Sequence, residues 1–460
     1  MRFKGLIASL VSLASWGVAQ AEPGLPVLAH DPDIQAAVDS VSVERIQRSI
    51  YVLTSFKTRH TLSDPAPNGD GIGAASAWIR AEFDRVSAST GGRLKVDLDT
   101  FTQTPEQPRI PQPTSITNIV ATLPGTRPDS EGRIYVIGGH YDSMRKNVLN
   151  GSDPAPGAND DASGTAAVLE AARVLSSRSF PATLVFIAFA GEEQGLDGSR
   201  HWAQEARQKG LAVADMLNND IIGASRSASG VIDRATVRVF AEGVNPTLPL
   251  TPASRRMLQT GSENDSPARN LARALRDIAQ VYTPAMTVRI VYRSDRFGRG
   301  GDHQSFLNAG FPAVRLTEPA EDFLHEHEDP RSENGVTYGD TIDYVDFAYV
   351  ANVAKVNVAA LAALASAPAA PKGVQIESAR LQNDSTLRWD PNAEPDLAGY
   401  RIVWRESTSP YWEHAVDVPK EVTRKTLEGV CKDNVVFGVE AFDSKGHVSE
   451  AVYPQPRYTL

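Results

Sequence analysis

Cysteine is nearly absent from this chain: Cys431 is the only one in 460 residues. One thiol cannot close an internal disulfide, so stability has to come from core packing and from metals. Cys431 itself reads as a small, buried or half-buried apolar residue. Long apolar runs are missing too. The stretch from Gly5 to Val18 is shorter than the roughly 20 residues a spanning helix needs, and no other segment could span. Positive charge is in deficit, with 46 Lys and Arg against 56 Asp and Glu and a net −10. That balance excludes nucleic acid as the expected partner. Internal repeats and coiled-coil heptads are also absent.

What is present begins with an address. Arg2 and Lys4, the apolar stretch after them, and Ala19-Gln-Ala21 form a secretory signal over residues 1–21, cut after Ala21. Losing Arg2 and Lys4 takes the net charge from −10 to −12. The expected location is therefore secreted or periplasmic, with no transmembrane segment in the mature chain. A length of 460 exceeds one ordinary core, so two domains are expected, and 41% hydrophobic with 22% charged residues is the composition of a soluble globular protein.

Apolar residues at helical spacing run from Ser42 to Phe56 and from Ala74 to Val86. Strands are predicted at Leu94–Phe101, Ile116–Leu123, Arg133–Gly139, Thr183–Ala190 and Ala214–Asn219, with helices at Ser163–Ser177 and Gly198–Lys209. This alternation predicts an α/β fold, a mainly parallel mixed sheet covered by helices on both faces. Residues 223–263, rich in Ser, Gly, Pro and Thr, read as a surface excursion apart from a strand at Thr236–Glu242. A helix at Ala268–Tyr282, strands at Met286–Tyr292 and Ala313–Leu316 and a long helix at Tyr344–Leu364 resume the alternation. The first domain is thus residues 22–364, and residues 365–371 form a Pro-stiffened linker. Residues 372–457, with short alternating strands between turn clusters, predict a small all-β sandwich.

Chemistry gathers at the predicted strand ends. His140 and Asp142 follow one strand, Glu192 and Glu193 a second, and Asp220 a third, while Asp160 and Asp161 precede the Ser163 helix. Open parallel sheets bind ligands at that carboxyl edge. Taken singly, each has an ordinary role: a hydrogen-bonded core histidine, a turn aspartate, or acids at a helix N-terminus. Taken together, imidazole and carboxylates without a suitable cysteine fit zinc or another borderline divalent ion. Two zinc ions of about +4 in total are balanced by three carboxylates and one hydroxide, with neutral histidines completing the set. Such a pair would acidify a shared water and polarise a scissile carbonyl, and a carboxylate outside the metal shell would carry the proton to the leaving amine.

Gly139-His-Tyr-Asp-Ser143, Pro156-Gly-Ala-Asn-Asp-Asp-Ala-Ser-Gly164, Ala190-Gly-Glu-Glu-Gln-Gly195 and Asn219-Asp-Ile-Ile-Gly223 resemble, in order and spacing, the co-catalytic dizinc peptidases of the bacterial leucyl aminopeptidase and glutamate carboxypeptidase family. The resemblance spans roughly Ser42 to Leu364. It implies a zinc-exopeptidase, phosphorylase/hydrolase-like fold and two zinc ions per chain. By the resemblance, Asp160 bridges the metals, His140 and Asp220 complete one, and Glu193 binds the other. Glu192 is the general base, and Asp142 orients His140. The late histidine that the family expects is His327 in Leu324-His-Glu-His-Glu-Asp-Pro330, with His325 as the alternative. Asp302 and His303 are left outside the metal shell.

Arg289, Arg293, Arg296 and Arg299 read as a solvated face, or, pointing inward, as a clamp for a substrate carboxylate. Leu387-Arg-Trp-Asp390, Gly399-Tyr-Arg-Ile-Val-Trp404 and Val439-Glu-Ala-Phe442 resemble a fibronectin type III domain, with Trp389 and Trp404 as core residues and a contact to a surface or another protein as its role. The expected function is an exported metallo-aminopeptidase acting on peptide or protein substrates. A carboxypeptidase or a one-zinc glutaminyl cyclase-like acyltransferase of the same fold, and a non-catalytic adhesion protein, are the alternatives.

Overall fold

A computed structural model of the chain describes residues 28–105, 108–127, 132–245 and 248–458, so the signal expected at residues 1–21 lies outside the described residues. Strand and helix alternate as the apolar periodicity predicts. The first eight strands are β1 (Lys95–Gln103), β2 (Thr114–Leu123), β3 (Ile134–His140), β4 (Thr183–Phe189), β5 (Val213–Asn219), β6 (Thr236–Ala241), β7 (Thr287–Val291) and β8 (Ala313–Thr317). They form one sheet in the order β1-β2-β4-β3-β5-β8-β6-β7. The central β4-β3-β5-β8 strands are parallel, as are β6 and β7. The β1–β2, β2–β4 and β6–β8 pairs are antiparallel. This is the mixed, mainly parallel sheet that the sequence predicts.

The helices are α1 (Pro32–Asp39), α2 (Val43–Ser55), α3 (Ile72–Ser89), α4 (Ala162–Leu175), α5 (Glu192–Gly195), α6 (Asp197–Gln208), α7 (Pro252–Gln259), α8 (Pro267–Tyr282), α9 (His303–Ala309) and α10 (Phe347–Ser366). Both sheet faces are covered, which is why the central strands are unbroken apolar runs. In β3, Tyr135 and Ile137 join a core shared with α1, α2, α4, α8 and α10, whereas Val136 joins Ala203, Ala206 and Phe306 from α6 and α9 on the opposite face. The expectation that no other segment could span is corrected by α10, which by length and composition is apolar enough to cross a membrane, although it is mostly buried against α1, α4 and α8 as a core helix. The excursion at residues 223–263 carries α7, a helix absent from the sequence expectation. None of its residues is buried, so it leaves no core-facing signal to read.

A short hairpin, β9 (Arg331–Glu333) and β10 (Val336–Tyr338), follows β8. Beyond α10 come β11 (Gln375–Glu377), β12 (Ser385–Arg388), β13 (Leu397–Glu406), β14 (His414–Pro419), β15 (Arg424–Leu427), β16 (Val435–Asp443) and β17 (Gln455–Arg457). They pair as two sheets, β15-β12-β11-β17 and β14-β13-β16, around Leu387, Trp389, Tyr400, Ile402, Phe437 and Val439. Trp389 is buried there, and Trp404 is half-buried and stacked on His414.

Residues 365–371, expected as a linker, are packed against the first unit: Arg133 donates to the carbonyls of Ala367 (2.9 Å) and Pro368 (3.1 Å). Arg405 and His447 add two further ties, to Asp265 and Asp31.

Candidate functional site

Three parallel strands end side by side, and their ends deliver the predicted residues to one place. His140 is the last residue of β3, Glu192 and Glu193 open α5 after β4, and Asp220 follows β5. Gly191, at φ +73, makes the turn that brings α5 over the sheet edge, a conformation that suits glycine. A Cβ on Gly139 would lie 2.8 Å from Gly164 backbone, so glycine lets β3 and α4 approach.

The neighbouring acids Asp160 and Asp161 have different tasks. Asp161 caps α4, accepting from the N–H of Gly164 (2.9 Å), and also receives the backbone N–H of His140 (3.1 Å) and of Ile221 (3.4 Å). It ties β3, α4 and the end of β5 together and does not face the cavity. Asp160 does. Its Oδ1 lies 3.0 Å from His140 Nε2, and its Oδ2 lies 2.9 Å from His327 Nε2. Glu193 Oε2 is 3.2 Å from the same His327 nitrogen, and Asp220 Oδ1 is 3.9 Å from His140 Nε2.

Asp142 stands behind His140, whose Nδ1 contacts the Asp142 backbone carbonyl (3.2 Å) and lies 3.5 Å from its Oδ1. It accepts from Thr61 Oγ1 (3.0 Å) and from the backbone N–H groups of Glu192 (3.3 Å) and Glu193 (3.2 Å). All seven predicted residues are therefore gathered. Of the two late histidines, His327 enters the cluster, at φ +56. His325 turns away, stacks on Tyr344 and contacts the carbonyl of Gly339 (3.1 Å).

Burial disfavours charge on these groups, and their neighbours decide the balance. For His140 and His327 burial acts downward, but the facing carboxylates outweigh it and hold both imidazoles well above the ordinary histidine range. Asp160 is held well below the carboxylate range, because the two imidazoles overcome its burial. Burial raises Glu192 strongly, and Asp220, Glu193 and Asp302 add to it although His140 opposes. Glu193 and Asp220 are raised by burial as well.

This donor set fits a pair of metal ions. His140, Glu192 and Asp220 each present one donor atom within 4.8 Å of one another, and so do Asp160, Glu193 and His327. Glu193 Oε1 and His327 Nε2 are buried without a well-formed hydrogen bond, which a cation would satisfy. Glu192 was expected only as a base, yet it also lies within reach of the first group.

A cavity of about 650 Å³ opens over the cluster, lined by Asp160, Glu192, Glu193, Asp220, Glu326 and His327 and walled by Arg109, Arg296 and Arg299. The expected solvated arginine face is thus divided. Arg289 is exposed, but Arg296 is largely buried against Glu321 (2.6 Å) and Arg299 pairs with Glu326 (2.8 Å). Asp302 and His303 are both buried. His303 Nε2 contacts the carbonyl of Ser294 (2.8 Å), and burial pushes the Asp302 carboxyl up to about 7.

Several supporting residues escape the sequence reading. Asp340 accepts the backbone N–H groups of Asn159 (2.8 Å) and Asp160 (2.7 Å), fixing the loop that carries Asp160. Glu318 holds the Asn159 side chain and the N–H of Ala224. Arg59, wholly buried, donates to the carbonyls of Leu53, Tyr141, Pro156 and Gly157. Arg315 is also wholly buried and hydrogen-bonds Asp220. A signal for Arg315 exists: a charge inside the buried strand Ala313-Val-Arg-Leu-Thr317 must have a partner.

The fold and the cluster together define a hydrolase-like α/β protein with a histidine–carboxylate site at the carboxyl edge of its sheet. The fold is similar to that of the Legionella pneumophila LapA aminopeptidase, with a TM-score of 0.51 and 22% identity over 76% of this chain and 78% of that one. Legionella pneumophila LapB gives 0.50 and 22%, over 74% and 77%. The pattern of Peptidase family M28 matches residues 118–361. A probable zinc metalloprotease of Pyrenophora teres f. teres is 44% identical over 444 residues, covering 96% of this chain and 91% of that protein. Another, of Pyricularia oryzae, is 43% identical over 451 residues, covering 96% and 89%. The chain belongs to Peptidase family M28.

Proposed function

We propose that this chain is an exported zinc aminopeptidase holding two zinc ions. The observation that carries the reading is Asp160, whose two oxygens face two different imidazoles, as a bridging ligand would. In this reading His140 and Asp220 complete one metal position and Glu193 and His327 the other. The name zinc metalloprotease borne by its relatives supports zinc. Bound there, the metal pair supplies a water acidified toward neutral pH and a polarised scissile carbonyl.

The chain's own residues do the rest. Glu192, on the cavity wall, takes the proton from the attacking water and returns it to the departing amine. Asp142 keeps His140 in orientation through Nδ1 and holds α5 against it. The arginine-bearing wall restricts what enters beside Asp220 and His327.

Arg296 and Arg299 on that wall give a carboxypeptidase as the second reading, in which a substrate carboxylate would compete with Glu321 and Glu326 for a guanidinium. The C-terminal β-sheets are read as a fibronectin type III-like module that contacts a surface or another protein. The location is read as secreted or periplasmic.

A panel of aminoacyl anilides and carboxyl-blocked or amino-blocked peptides, assayed with zinc and with a chelator, tests the reading. Cleavage that needs a free amino end and zinc is expected. Cleavage that needs a free carboxyl end would favour the carboxypeptidase. Cyclisation of N-terminal glutamine with one zinc would favour the acyltransferase, and turnover indifferent to chelation would refute all three.

A further inference from the structure

One oxygen of Asp220 faces both Arg315 and the His140 imidazole of the candidate metal position, and among the described residues no carboxylate in the other half of the cluster is held by an arginine in this way. The guanidinium of Arg315 projects from β8 and is fully buried. Its Nη2 donates to Asp220 Oδ1 at 2.7 Å, the same oxygen that lies 3.9 Å from His140 Nε2. Its Nη1 is held by Asp295 Oδ2 at 3.1 Å and by the carbonyl of Gly300. The fork is anchored at both ends, and Asp295 is itself fixed by the backbone N–H of Arg296 (2.6 Å).

An arginine stays charged under all ordinary conditions. A fixed positive charge one hydrogen bond from a ligand oxygen draws its electron density away from a cation and repels that cation through a medium of low dielectric. In the other half, no arginine among the described residues donates to the carboxylate of Asp160 or Glu193, and Arg109 reaches only the backbone carbonyl of Glu193 (2.7 Å). Arg299 does approach His327 Nδ1, at 3.4 Å. That arginine, however, is about one-third in water (35%), whereas Arg315 is fully buried, so the charge of Arg299 is screened by solvent.

We infer that Arg315 makes the two metal positions unequal, so that the His140–Asp220 position binds its ion more weakly and fills second. The inference rests on the dinuclear reading above. Arg315 is a positioning residue: it touches a ligand and tunes what that ligand binds, without touching substrate.

The test is a cobalt(II) titration of the metal-free full-length chain, followed by visible absorption and calorimetry, with no turnover involved. The wild-type chain should bind two equivalents in steps separated by at least about 10-fold in Kd, and His140→Ala should remove the weaker step alone. Arg315→Gln together with Asp295→Asn, which removes the charge and its anchor in a balanced way, should tighten the weaker step and shrink the separation by about 10-fold or more. Arg315→Lys, which keeps the charge, should stay close to wild type and guards against a folding artefact in the double variant. Two equal steps in the wild type, or an unchanged separation in the double variant, would overturn the inference while leaving a dinuclear site intact. Fewer than two bound ions in the wild type would instead overturn the dinuclear reading itself.

Discussion

The carboxylate of Asp142 accepts the backbone N–H of Glu193 at 3.2 Å, while its other oxygen faces His140 Nδ1 at 3.5 Å. One side chain therefore joins the tip of β3 to the first turn of α5, the two segments that carry opposite sides of the cluster. Asp142→Ala should leave both segments folded but less well aligned. Outer partners of metal-ligating histidines usually contribute about 10–100-fold to metal affinity. A zinc titration of Asp142→Ala should show a loss of that order, and unchanged affinity would remove Asp142 from the site.

Glu192→Ala should retain metal and lose turnover. The residue is placed as the proton carrier, and general acid–base catalysis typically contributes about 10²–10⁴-fold. A drop in kcat of at least about 100-fold, with metal content near wild type, is expected from steady-state assays and elemental analysis. Because Glu192 also lies within donor reach of His140 and Asp220, metal content is the informative reading. Loss of one ion in Glu192→Ala would make Glu192 a ligand and not the base.

Arg405 from β13 reaches both oxygens of Asp265 (2.8 and 2.9 Å) at the seam between the C-terminal sheets and the first unit. Both side chains are almost wholly buried. Arg405→Met leaves the Asp265 carboxylate, among the described residues, the weaker contact to Arg273 at 3.3 Å. Breaking a buried pair from one side costs about 3–5 kcal/mol. Urea unfolding should register a loss of that order, and a change below about 1 kcal/mol would mean that the seam is held elsewhere.

His447 lies between Asp443 (2.8 Å) and Asp31 (2.9 Å), joining the C-terminal sheets to the start of α1. Burial acts to lower its titration point, but the two carboxylates outweigh it and raise it above 6.5. Asp31 and Asp443 are both lowered from 3.8, their hydrogen bonds and the imidazolium prevailing over burial. A raised histidine stabilises the fold fully below its unfolded value and loses that effect as pH rises through its folded value. Lowered aspartates stabilise above their unfolded value and lose the effect as pH falls through the folded one. The triad therefore contributes most between about pH 4 and 6.5. The Tm difference between wild type and His447→Gln should be largest near pH 5 and shrink toward pH 9; a difference independent of pH would contradict this.

The parts of the site that lie at regular strand ends were legible from sequence. The run Thr183–Ala190 stopping at Gly191 locates Glu192 and Glu193, and the apolar runs before His140 and Asp220 place them on the same edge. The choice between His325 and His327 was not legible, because both sit in an irregular loop, where only the left-handed backbone at His327 sends its ring inward. Arg296 and Arg299 read as a solvated face because their partners, Glu321 and Glu326, arrive from that same loop. Arg59 gave no local sign: its partners are backbone carbonyls from distant segments, which no side-chain pattern records. α7 buries nothing and so has no core-facing pattern; its local sign is Thr251 capping the helix directly ahead of Pro252.

The most direct test of the central claim is anomalous diffraction at the zinc edge from crystals of the zinc-loaded chain. The account predicts two peaks about 3.5–4 Å apart on either side of the Asp160 carboxylate, one against His140 and Asp220 and the other against Glu193 and His327. A single peak, or two peaks of which either fails to contact Asp160, would contradict it.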